Sequence, residues 1–160
     1  MATETAMRQQ LARVLDWEDA HAGFDAAVDG LPASLRGKVP PGLPYSAWQL
    51  VEHIRRTQAD ILEFCRSPKY TEKQWPADYW PASPEPPSAK AWDESLAAYW
   101  RDREAMATLA RDEGVDLLAK VPNGTGQTLL REVLLVADHT AYHVGELIVL
   151  RRLLGAWAGT

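Results

Sequence analysis

The chain has 160 residues, of which 46% are hydrophobic, and a formal net charge of -5. That is enough for one well-buried core and too little for two ordinary domains, so a single domain over residues 1–160 is expected. The acidic balance excludes a nucleic-acid partner, which would need a clustered positive surface, since Arg55-Arg56 and Arg151-Arg152 stand apart as solvated or locally paired charges.

The first helix is expected between Glu4 and Asp29, where Met7, Leu11, Val14, Leu15, Ala22 and Val28 recur at helical steps. Gly30, Pro32, Gly37, Pro40, Pro41, Gly42 and Pro44 then mark a loop. Ser46 opens the second helix with Gln49 in capping-box register, and Leu50, Val51, Ile54, Ile61 and Leu62 form its apolar side as far as Ser67-Pro68. Cys65, the lone cysteine, has no internal disulfide partner and reads as a packed or half-buried thiol.

From Trp75 to Pro87 the chain combines prolines, which forbid a helix, with large rings that water solvates poorly. It is expected to lie as an ordered loop strapped across the helices. Ser88 caps a third helix carrying Trp92, Leu96, Tyr99, Trp100, Met106 and Leu109 to about Arg111, ahead of Gly114. After the Pro122-Asn123-Gly124-Thr125-Gly126 turn, Thr128 begins a fourth, closed by Gly155, with a broad apolar face including Leu130, Val133, Leu134, Val144, Leu147 and Leu150. No segment alternates with a two-residue period, so the fold class is all-α and the economical architecture a four-helix bundle. No stretch approaches the roughly 18 apolar residues of a membrane span, and the start of the chain has no long apolar core, which together predict a cytoplasmic location without membrane association.

His139 and His143, four residues apart on the fourth helix, stack on one face with Cβ atoms about 5–6 Å apart, a spacing that suits two ligands of one metal. Such a pair equally suits histidines that hydrogen-bond a carbonyl or carboxylate. His53, at the margin of the apolar second helix, tips the balance: a buried neutral imidazole needs a partner, and packing the second helix beside the fourth brings the three rings together. Three imidazoles would leave an open coordination position. His21 is read as pairing with Asp25 or supporting the site from outside, with ligation the lesser alternative. Glu132 and Glu146, each seven residues from His139, are candidates to orient an imidazole or accept a proton, though helix glutamates commonly only solvate a surface. Thr140 stands where the metalloprotease helix motif carries its glutamate, which disfavours peptide hydrolysis by that route.

The segments Ser46-Ala47-Trp48-Gln49-Leu50-Val51-Glu52-His53-Ile54, Trp75-Pro76-x-x-Tyr79-Trp80-Pro81, Leu129-Leu130-Arg131-Glu132 and Ala137-Asp138-His139-Thr140-Ala141-Tyr142-His143-Val144-Gly145-Glu146 resemble the DinB-like superfamily of damage-inducible bacterial proteins, closest to an uncharacterised branch. The resemblance implies a four-helix bundle, commonly a homodimer, in which His53, His139 and His143 bind a divalent metal such as zinc or nickel. Some members of that superfamily are transferases or isomerases that use a low-molecular-weight thiol. A metal- and thiol-dependent transferase acting on a small molecule is therefore the expected function, with a non-catalytic metal-binding stress-response module as the alternative.

Overall fold

The computed structural model describes residues 2–157, and among them every regular element is helical. Five α-helices occur in the order α1 (Ala2–Arg13), α2 (Phe24–Val28), α3 (Ala47–Arg66), α4 (Ala89–Arg111) and α5 (Leu129–Leu153), with short 3-10 turns at Val14–Asp16 and Ala33–Leu35. The only bridge between extended residues in this range joins Lys120 to Thr128 ahead of α5.

The three long helices start where local chemistry fixes them. Ser46 accepts the Gln49 amide while the Gln49 side chain accepts the Ser46 amide, so both arms of the capping box are made. Ser88 and Thr128 likewise accept the amides of Ala91 and Arg131. At the far end of α3, Pro68 disfavours a helical Ser67, which is extended. Beyond α5, Gly155 takes a φ of +67°, a conformation that costs a glycine little.

The continuous first helix expected between Glu4 and Asp29 is not formed. Leu15 and Phe24 are nine residues apart, which at about 100° per residue puts them on opposite sides of one helix. Yet both are buried, Phe24 stacking on Tyr99 at 3.8 Å between ring centroids. The chain meets both demands by breaking: it leaves α1 through the 3-10 turn, runs irregularly past Trp17, and re-enters helix at Phe24. Asp19 ties the break together by accepting from the side chains of Arg13 and Trp17. Met7, expected on the buried stripe, is exposed.

Two apolar clusters fill the interior. One joins Leu11 and Leu15 to Leu62, Met106, Ala110, Val133 and Val136; the other joins Phe24 to Leu50, Val51, Ile54, Trp92, Tyr99, Val144 and Leu147. Burying each of these larger side chains contributes about 1.5–3 kcal/mol. α3 packs against both α4 and α5. α5 is long and apolar enough to cross a membrane by length and composition alone. This differs from the expectation drawn from the sequence, that no stretch approaches a span; part of the helix's apolar residues, among them Val133, Val136, Val144 and Leu147, enter the two clusters, while Leu134, Val149 and Leu153 stay exposed. Arg151, buried near its end, donates to the carbonyls of Ala27 and Asp29 at 2.8 Å each and so closes α2 onto α5.

Candidate metal centre

His53 projects from α3, and His139 and His143 project from adjacent turns of α5, into the seam where those helices pack. Their ring centroids lie 4.8 Å (His53 to His139), 4.6 Å (His53 to His143) and 4.5 Å (His139 to His143) apart. One ligating atom from each falls within 4.8 Å of the other two, so the cluster could hold a metal ion. The Nε2 atoms of His53 and His139 are 3.0 Å apart. Two nitrogens bound at about 2.0–2.1 Å to one tetrahedral zinc are about 3.3 Å apart, so that pair needs only a small adjustment to share an ion.

The remaining ring nitrogens show why the cluster fits a cation. His53 Nδ1 lies 3.3 Å from the Tyr79 carbonyl and His143 Nδ1 lies 2.7 Å from Glu146 Oε2. A carbonyl can only accept, so His53 carries its proton on Nδ1 and turns the Nε2 lone pair into the cluster; a carboxylate asks the same of His143. Desolvation, helped by the neighbouring His143, pulls the pKa of His53 down to about 4. Burial, with His143 and His53 nearby, pulls that of His139 down to about 3. Both rings are thus held in the neutral form that a metal requires.

The segment between α3 and α4 forms the outer wall. Trp80 stacks on His53 at 3.9 Å with 10° between the planes, and Tyr45 stacks on Trp80 at 6.0 Å. The chain is held along α3 by Tyr79 OH donating to Asp60 at 2.7 Å, by Gln49 donating to the Pro81 carbonyl at 3.0 Å, and by Ser46 donating to the Pro84 carbonyl at 2.5 Å. Trp75 reaches His53 only edge-on at 6.1 Å and stays 69% exposed, contrary to the expectation that the rings of this segment are covered. Tyr142, 66% exposed, stands edge-on to His143 from the solvent side.

The other candidates divide. Glu146 joins the cluster, through a spacing of three residues to His143 rather than seven to His139. Glu132 does not: it is 2% exposed and pairs with Arg131 at 2.5 Å in the first turn of α5, where the helix dipole favours a carboxylate. Burial of Cys65, with the nearby charge of Glu132 adding to it, pushes that thiol up to about 12, which leaves it protonated and inert. His21 does not pair with Asp25. It is exposed beside the Ala22 carbonyl, while Asp25 accepts from Trp100 Nε1 at 2.6 Å and faces Arg103 at 3.4 Å. The break before Phe24 carries His21 off the helical face on which the expected pairing depended.

The Tyr79 carbonyl and the Trp80 stack were not assigned from the sequence. A backbone acceptor has no side-chain signature, and the one available signal was the Trp-Pro-x-x-Tyr-Trp-Pro run itself.

A chain whose described elements are all helical, with three imidazoles gathered between two long helices and two of them oriented from outside, belongs to the class of proteins able to hold a metal ion in a helical scaffold. Residues 16–147 match the family model of the DinB superfamily, and the chain belongs to that metal-binding family. No curated protein and no solved structure matches it.

Proposed function

We propose that this chain is a metal-dependent enzyme of the thiol-dependent transferase or isomerase type, built as a DinB-like four-helix bundle with α1, α3, α4 and α5 as its helices. His53, His139 and His143 hold one divalent ion, zinc or nickel. The observation that carries this reading is the pairing of inward Nε2 atoms with outward Nδ1 contacts to Tyr79 and Glu146. When bound, a divalent ion on three neutral imidazoles supplies Lewis acidity at a fourth position, where it lowers the pKa of a thiol or water.

The chain's own residues do the rest. The Tyr79 carbonyl and Glu146 fix ring orientation, which keeps the donor set preformed. Trp80 covers one face of His53 and keeps water from it. The reading places the protein in the cytoplasm as a homodimer. The same Trp80 cover favours, as a second reading, a non-catalytic metal-binding stress-response module, since it narrows the approach to the histidines.

Cobalt loading separates the two. With several small thiols at millimolar concentration, an enzyme of this type gives a sulfur-to-metal charge-transfer band. If no thiol produces the band while azide binds, the transferase reading is wrong and the module is the better account.

A further inference from the structure

On the flank of α5 away from the histidines lies a cavity of about 490 Å³, and it exists because the first helix is broken. The chain leaves helix at Asp16 and returns at Phe24, so the volume a continuous helix would have filled is left to small residues, Ala20, Gly23, Ala137 and Ala141. Buried Leu15, Phe24, Tyr99 and Val144 make its floor, and Trp17 and Leu134, each about half exposed, make its lip. Its size lies in the range of small-molecule sites, and its lining is mainly apolar with a few charged groups.

Those charged groups set the chemistry of the occupant. Arg103 is held by Asp16 at 2.6 Å and faces Asp25 at 3.4 Å, so its charge is spoken for. Asp138 stands exposed on the cavity side with no hydrogen bond or ion pair to any described residue. Asp16 and Asp25 therefore take up the one guanidinium, His21 and Tyr99 are the other titratable side chains of the lining, and Asp138 at the edge of the apolar surface is left unpaired.

We infer that this cavity binds a small amphipathic amine, with an apolar or aromatic body against Trp17 and Leu134 and a protonated nitrogen at Asp138. The proposal is independent of the metal centre, because Asp138 and Thr140 lie toward the cavity while His139 and His143 turn to the α3 seam.

The test is a fluorescence titration of the full chain with dansylcadaverine, whose fluorescent naphthalene ring and alkyl chain end in a primary amine. Counterparts ending in a carboxylate or a methyl group run alongside. The expected result is saturable binding with enhanced emission, stronger for the amine than for either counterpart by about five- to tenfold, the scale of one charge pair near a surface. Asp138→Asn should remove that preference while the apolar body still binds, and Ala141→Trp, which fills the mouth from an exposed helical position, should abolish binding with the helical signal by circular dichroism unchanged. Absence of saturable binding, or equal binding of all three probes to the wild type, would overturn the proposal. So would binding that appears only in a Val149→Glu variant, which lies outside the cavity and separates a dimer, because a second copy of the chain would then be the occupant.

Discussion

At Glu146 a single carboxylate decides which nitrogen of His143 faces the cluster. Its Oε2 lies 2.7 Å from Nδ1, so removing it frees the ring to rotate and to change tautomer. Glu146→Ala is expected to weaken zinc binding about 10–100-fold, measured by competition with a chromophoric chelator. Glu132→Gln, on the same helix but engaged with Arg131, should leave that affinity unchanged. Equal losses in the two variants would mean that the effect is one of helix stability and not of ring orientation.

The buried imidazoles also predict how the metal-free chain responds to acid. The ordinary histidine pKa of 6.5 applies in the unfolded chain, while burial holds His53 near 4 and His139 near 3 in the fold. Between those values the unfolded chain takes up protons that the folded chain refuses, so stability falls as pH drops from about 6.5 toward 4. Urea midpoints of the metal-free protein should be lower at pH 5 than at pH 7, and the difference should shrink in a His53→Gln, His139→Gln double variant. An undiminished difference in the double variant would place the acid sensitivity elsewhere.

Among the elements, the three long helices were legible because their starts are local: Ser46, Ser88 and Thr128 each cap the helix that the apolar spacing predicts. The first helix was misread because periodicity reports apolar positions without saying that Leu15 and Phe24 must both point inward from half a turn apart. Two of the three histidines were legible as a pair, since spacing of four residues is geometry in itself. Joining them to His53 needed the packing of α3 on α5, which a single sequence supplies only as an inference. The segment from Trp75 to Pro87 was legible as ring-rich and non-helical, yet beside the Tyr79 hydroxyl and the Trp80 ring its contacts run through carbonyls of Tyr79, Pro81 and Pro84, and these leave no trace in residue identity. If those contacts hold the segment down, limited proteolysis of the native protein should spare it. Trp80→Ala, which deletes the His53 stack, should open it to cleavage. Rapid cutting of the wild type throughout this stretch would show a loose linker.

For the molecule as a whole, the exposed arc of α5 beyond the cavity lip carries Tyr142, Val149 and Leu153, large apolar side chains of the kind that mark an interface. A homodimer formed across this arc is expected, with light scattering giving twice the mass of the 17.8 kDa chain and Val149→Glu restoring the single mass. A monomer at high protein concentration would contradict it. Elemental analysis of protein purified without an affinity tag tests most directly whether the three imidazoles act as one metal site. One divalent ion per chain is predicted in the wild type, with most of it lost in each of His53→Ala, His139→Ala and His143→Ala while the helical signal persists. Full occupancy in all three single variants would contradict the account.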